Sequence, residues 1–291
     1  MSINITALYC CLDDFCKVYE EWEGHQLIPS GKKRHREGKL SLSEMLFIMV
    51  LFHHASFKNF KAFYRYGIGH LYRRCFDEIP HYDRFVSLMP RLFAPLMVLL
   101  HSLSGEETGI YFADSTKLAV CHNRRISRHK VFDGMAARGK SSMGWFYGLK
   151  LHFVINHKGE IMAFKITPGN AADGAQLDDI TKNLVGKIYA DRGYIGKELF
   201  KKLWQRGLHL ITGIRRNMKN YLMPLADKIM LRRRFIIETV LDTLKSEMGL
   251  EHSRHRSTVN AMVHILSCLA AYAFRPGKPA IRLNALRVAY P

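Results

Sequence analysis

The sequence predicts an α/β chain, in which an α+β mixed sheet is preceded by a helical N-terminal domain. Three observations carry that prediction. Apolar residues in the first hundred positions recur at helical spacing. From Ser104 to Thr108 the texture turns polar and glycine-bearing, and strand-prone runs follow it. A strand, helix, strand unit of crossover length then occupies residues 187–212.

In the N-terminal part, Ser41 and Glu44 make a capping-box pattern in front of Met45 to Phe52, and Phe85, Leu88, Met89, Leu92 and Phe93 share one helix face. A basic run, Lys32 to Lys39, separates the first helical stretch from the second and is expected to be a solvated loop. Short helices beside a catalytic domain serve either as a helix-turn-helix DNA reader or as packing, and periodicity does not choose between the two. The predicted strands begin with Ile110 to Thr116. Trp145 to Asn156 and Glu160 to Thr167 follow as a hairpin turning at His157-Lys158-Gly159. Asp173 is placed to open a helix through about Asn183. Lys187 to Asp191 then reads as a strand, Ile195 to Arg206 as an amphipathic helix stopped by Gly207, and Leu208 to Thr212 as a further strand. The expected segments are 1–107, helical and a candidate DNA binder; 108–275, catalytic; and 276–291, a C-terminal tail.

Composition narrows the function classes. With 48% hydrophobic and 24% charged residues the chain buries an ordinary core, which excludes disorder as its main state. No apolar run was legible at the ~18 residues of a bilayer span, and the N-terminus carries acids where a signal peptide carries bases, so the expectation is a cytoplasmic protein with no membrane partner. Six cysteines without paired CxxC spacing make neither a disulfide framework nor a zinc site.

Charge points to a partner. Lysine and arginine outnumber aspartate and glutamate 44 to 25, a formal net charge of +19, and the excess is local. Residues 1–107 hold 13 basic and 12 acidic side chains, whereas residues 108–291 hold 31 and 13. A surplus confined to one segment fits an extended polyanion, of which nucleic acid is the commonest.

Two runs, Tyr111-Phe112-Ala113-Asp114 and Ile188-Tyr189-Ala190-Asp191, are each β-prone, apolar and closed by a carboxylate. An unpaired carboxylate at the end of a buried strand costs several kcal/mol unless a cation meets it. Laid side by side, such strands bring two hard oxygen donors together, a preference for a divalent cation such as Mg²⁺. Either aspartate alone reads equally well as a turn former. A third carboxylate, Glu238, lies in the predicted helix Leu231 to Gly249, where Arg234, Glu238 and Lys245 fall within a sector roughly 40° wide beside an apolar stripe. Glu238 as a ligand with Arg234 and Lys245 holding phosphates accounts for that sector, and so does a surface ion pair between Arg234 and Glu238.

The order Asp114, Asp191, Glu238, with Arg234-x3-Glu238-x6-Lys245, resembles the DDE transposases of bacterial insertion sequences. Leu231 stands where their Tyr-x2-Arg-x3-Glu-x6-Lys signature has its tyrosine, so that contact to DNA is not carried over. The runs DSTKLAVCHNRR, GWFYGLKLHFVINHKGEIMAFKITPGN, ADRGYIGKELF and RRRFIIETVLDTLK are similar to the branch named for insertion sequence 982. The resemblance implies a ribonuclease H-like catalytic domain, Asp114, Asp191 and Glu238 as catalytic and metal-holding residues, and two Mg²⁺ ions, with Mn²⁺ as a substitute. It also implies double-stranded DNA at element ends and target as the partner, cleavage followed by strand transfer, and a homodimer in the synaptic complex. Arg215, Arg216, Lys219, Arg232 and Arg233 before the Glu238 helix, with Arg254, His255 and Arg256 after it, are expected to grip phosphates beside Arg234 and Lys245. Cys121 to Arg125 is a further candidate contact, and His152 reads as a packed histidine rather than a base. Two competing functions remain at this stage: a junction resolvase-type nuclease, which stops at hydrolysis, and a catalytically silent DNA-binding protein.

Overall fold

A computed structural model describes residues 3–25, 38–141, 144–214, 218, 222–252 and 255–283. The elements in chain order are α1 (Ile5–His25), α2 (Leu42–Phe52), α3 (Phe60–Ala62), α4 (Tyr82–Leu88), α5 (Phe93–Ser102), β1 (Ile110–Cys121), β2 (Ala137–Ser141), β3 (Gly144–Asn156) and β4 (Ile161–Pro168). They continue with α6 (Asp173–Ile180), β5 (Gly186–Ala190), α7 (Lys197–Gln205), β6 (Leu208–Thr212), α8 (Leu225–Arg232), α9 (Phe235–Asp242) and α10 (Thr258–Phe274). Contacts divide the chain into two units: Met1–Leu103, Met248–Leu250 and His255–Pro276 form one, and Ser104–Glu247, Glu251–Arg254 and Gly277–Pro291 form the other.

The first unit is helical. The Ser41 hydroxyl accepts from the Glu44 amide at 3.1 Å while the Glu44 carboxylate accepts from the Ser41 amide at 2.7 Å, the capping box legible in the sequence. Every residue of α2 from Met45 to Phe52 is buried, as a helix apolar on all sides must be. It packs against α1 and α10. At its end the His53 Nδ1–H donates to the Met248 carbonyl at 2.7 Å, and its Nε2 lies 3.0 Å from the Ser267 hydroxyl. Burial holds the His53 pKa well below the ordinary range, so the ring is neutral.

Two expectations are corrected in this unit. The helical run Tyr82–Ser102 does have the length and apolar character of a bilayer span. Its residues Phe85, Leu92 and Leu96, however, are fully buried in the unit, where α5 packs on α10. Second, α10 belongs with these helices and not with the sheet, so the second unit begins at Ser104 and its sheet-bearing part is finished by Glu247, short of the expected boundary at 275. Composition carried no sign of this, because α10 is apolar around nearly its whole circumference and suits either core.

The second unit is a six-stranded mixed sheet in which β3 pairs antiparallel with β1, β2 and β4, and β1, β5 and β6 run parallel. The principal order is therefore β4-β3-β1-β5-β6, with β2 continuing the β4 edge of β3. Tyr111, Phe112 and Ala113 are at most 1% exposed, which is the burial on both faces that the apolar opening of β1 requires. Gly148 is forced: a Cβ there meets the Leu118 carbonyl of β1. Gly186 has φ of +117° and its missing side chain makes room for the Gly109 backbone, so β5 starts tight against β1.

Alternation along the strands sorts the core. One face carries Tyr111, Ala113, Val154, Ile188 and Ala190, packed with Leu177, Tyr194 and Leu203. The other carries Phe112 and Tyr189, whose rings stack at 5.5 Å, and α8 and α9 pack on the sheet. The expected single helix over 231–249 is instead α8, a turn at Arg233-Arg234, α9 and a π-helical turn, Thr243–Glu247. β1 runs five residues beyond the expected Thr116, and β2 was not foreseen.

Candidate active site

Asp114 and Asp191 owe their placement to one register. The last rung of the β1–β5 ladder is Phe112 opposite Tyr189, and each aspartate follows two residues later. Spacing by two keeps a side chain on the same face of a strand, so both carboxylates belong to the face of Phe112 and Tyr189, on neighbouring strands about 4.8 Å apart. The local device is repeated as well: Asp114 Oδ1 accepts from the Ser115 amide at 2.8 Å, and Asp191 Oδ1 from the Arg192 amide at 2.7 Å. Asp191 is exposed, opening a 3₁₀ turn over Arg192–Tyr194, whereas Asp114 is half-buried.

Glu238 reaches the site through Arg234. The guanidinium donates to Asp114 Oδ2 at 3.2 Å and to Glu238 Oε1 at 2.7 Å, bridging strand and helix. Arg234 precedes the first residue of α9, so the break between α8 and α9 aims it at β1. Burial raises the Asp114 pKa most; the Ser115 amide and Arg234 oppose that shift, and Glu238 adds to it. Among the described residues no three His, Cys, Asp or Glu side chains stand close enough together to hold one metal ion. A cation between Asp114 and Glu238 is nonetheless what the donor set already accommodates, in the form of the guanidinium. The residues fit a divalent ion on condition that Arg234 withdraws.

Lys245 is engaged internally: its ammonium donates to the Lys117 carbonyl at 2.7 Å and lies 3.5 Å from the Glu251 carboxylate. The π-helical turn, which holds more residues per turn than an α-helix, takes Lys245 out of the sector it shares with Glu238 on an ideal helix. Arg232 is exposed, and Arg233 donates to the Arg282 carbonyl at 3.3 Å. Arg256 belongs to the helical unit, where its charge is felt by Tyr82. Arg215, Arg216, Lys219 and Arg254 lie outside the described residues.

Two residues beside the acids were not singled out from the sequence. Tyr194 is 4% exposed, and its hydroxyl pKa is pushed up by burial first, then by Asp173 and Asp114, with a Ser115 hydrogen bond opposing. Asp173 lies 3.2 Å from the Lys150 ammonium and 3.5 Å from His152 Nδ1. His152 is 1% exposed and shares a 2.8 Å hydrogen bond with the Thr167 hydroxyl; burial brings its pKa to about 4, so it is the packed, neutral histidine expected.

No curated protein matches the sequence. A cryo-EM structure of a piggyBac transposase synaptic complex with hairpin DNA is similar over 83% of this chain and 68% of its own, at 12% identity and a TM-score of 0.46. Residues 104–258, which contain both strand-end aspartates and Glu238, match the transposase DDE domain, and since they make up more than half of the chain, it belongs to the DDE transposase family.

Proposed function

We propose that this transposase performs metal-dependent cleavage of double-stranded DNA at the ends of an insertion sequence, followed by strand transfer, and that Asp114, Asp191 and Glu238 hold its metal ions. The observation that carries the reading is the shared register that sets Asp114 and Asp191 on one sheet face, with Glu238 tied to Asp114 through Arg234. The principal strand order, with a single antiparallel strand among five, supports a ribonuclease H-like domain. The run similarities favour the insertion sequence 982 branch.

Bound Mg²⁺ or Mn²⁺ supplies activation of a water or 3′-hydroxyl and neutralises charge at the leaving oxygen. The chain supplies the rest. Asp114 and Asp191 each anchor one oxygen on the next amide, which fixes the carboxylate plane. Arg234 neutralises two of the acids in the closed site and turns to a backbone phosphate when they are otherwise neutralised. No side-chain nucleophile is required. Two copies of the chain acting on two ends make the homodimer.

The test is incubation of the purified chain with linear DNA carrying the element's flanking inverted repeats. Products with 3′-hydroxyl ends joined to target DNA, formed with Mg²⁺ or Mn²⁺ and absent in EDTA, are expected. Hydrolysis without joining would make the chain a resolvase-type nuclease, and no cleavage with either ion would overturn the reading. Arg234→Ala is expected to raise the affinity for Mn²⁺ in the absence of DNA, measured by titration calorimetry, because no internal cation then has to be displaced. Equal affinities would mean that Arg234 does not close the site.

A further inference from the structure

Between β1 and β3 the chain departs from the sheet and returns. Residues 122–145 of this excursion carry six cations, Arg124, Arg125, Arg128, Lys130, Arg138 and Lys140, against one acid, Asp133. All six cations are exposed, and none is ion-paired to a carboxylate among the described residues. Elsewhere in the same unit Lys150, Lys165, Lys187, Arg206, Arg234 and Lys245 each have an acid within 4 Å.

The excursion is built. Phe132 is 3% exposed, and the His129 ring stacks on it at 5.8 Å and meets Tyr147 edge-on at 6.2 Å. The Asn123 carboxamide donates to the Trp145 carbonyl at 2.8 Å, tying the turn after β1 to the hairpin. In the β2–β3 ladder, Arg138 faces Tyr147 and Lys140 faces Trp145. Gly139 and Phe146 are buried, so alternation puts Arg138, Lys140 and Trp145 together on the opposite face. Trp145 is 62% exposed, with the Lys140 ammonium 5.8 Å from its ring centroid.

We infer that this excursion is a second DNA-binding surface, its cations taking backbone phosphates and the Trp145 ring stacking on an unpaired base. It rests on the proposed function only in taking DNA as the partner. Unpaired like charges held on a fixed frame repel one another, and a polyanion relieves that cost. An exposed indole among phosphate-binding cations is the combination that holds single-stranded ends, because every base offers a face to stack. Cys121 is seven residues along β1 from Asp114, roughly 23 Å at about 3.3 Å per residue, so the surface is separate from the acids and reaches DNA at a distance from the reacting phosphate.

The experiment measures DNA affinity of the full chain in EDTA by fluorescence anisotropy, from low to moderate salt, on blunt duplex and on duplex with an unpaired 3′ tail. The combined Arg124→Ala, Arg125→Ala, Arg128→Ala variant is expected to lower the log affinity against log salt slope by about 0.9 per cation, about 2.7 in all, on both DNAs. The matching Arg→Lys variant keeps the slope, which separates lost charge from lost structure. Trp145→Ala is expected to weaken binding to the tailed duplex roughly five- to a hundredfold and to leave blunt duplex unchanged. Unchanged slopes in the alanine variant, or equal loss on both DNAs for Trp145→Ala, would overturn the inference. Those outcomes leave the catalytic reading standing if wild-type protein still cleaves with Mg²⁺; absent cleavage with intact salt slopes would do the reverse.

Discussion

Replacing Asp114 by Asn is expected to lower metal-dependent DNA cleavage at least about a thousandfold, the rate equivalent of roughly 4 kcal/mol of lost charge stabilisation. The substitution keeps the shape of the side chain and removes its negative charge, so DNA retention in EDTA is expected to persist. Stability moves the other way. The Asp114 pKa in the fold lies above the ordinary aspartate value of 3.8, chiefly through burial. A group whose folded pKa is raised binds more protons in the native state than in the unfolded one across that interval, so stability falls as pH rises through it and the cost persists at neutral pH. Metal-free Asp114→Asn protein is therefore expected to melt at or above the wild-type temperature at pH 7, with the difference closing as the pH is taken to 3.8 and below. Adding Mn²⁺ is expected to raise the wild-type melting temperature and not that of the variant, since a ligand stabilises only the fold that binds it. Wild-type cleavage in the variant, or an equal Mn²⁺ response in both, would remove Asp114 from the site. A fall in melting temperature would show that the Arg234 ion pair outweighs the desolvation of Asp114.

How much of this was legible depends on whether the signal was local. The capping box at Ser41 and Glu44, the hairpin at His157-Lys158-Gly159 and the strand endings at Asp114 and Asp191 are short-range patterns, and β1, β3, β4, β5 and β6 lie where those patterns put them. The adjacency of β1 and β5 followed from two buried strands each closed by a carboxylate, and it exists. What failed was the extrapolation of ideal geometry. Arg234, Glu238 and Lys245 share a sector only on an uninterrupted α-helix, and the turn before α9 and the π-helical turn after it send Arg234 to Asp114 and Lys245 to the Lys117 carbonyl. Tertiary contact decided both, and no periodicity encodes them. Tyr194 and Asp173 went unremarked because each touches the site from another element, Tyr194 beyond β5 and Asp173 on α6. The excursion after Cys121 was visible as charge, but its exposed indole depends on the β2–β3 register.

The largest effect on stability is expected from Asp227→Ala. Asp227 on α8 is 6% exposed and takes the Lys187 ammonium on both oxygens, at 2.8 and 3.1 Å, and the Tyr189 hydroxyl at 2.7 Å. Lys187, Tyr189 and Asp191 lie two apart along the chain, on the face of β5 that α8 covers. One helix carboxylate thus holds a lysine that is a third exposed and a hydroxyl on a residue 2% exposed. Removing one partner of a buried ion pair costs about 3–5 kcal/mol; the partial solvation of Lys187 reduces this to about 2–3 kcal/mol, with the Tyr189 bond included. At about 2–4 °C per kcal/mol for a unit of this size, the expected fall in melting temperature is roughly 5–10 °C. Tyr189→Phe, which removes one bond and keeps the ion pair, is expected to lose about 1 kcal/mol, and the double variant less than the sum of the two. Because Asp191 sits two residues beyond Tyr189, loosening this contact is also expected to reduce cleavage more than DNA retention. An Asp227→Ala protein with unchanged melting temperature would mean that α8 is held to β5 by its apolar residues Ala226 and Met230 alone.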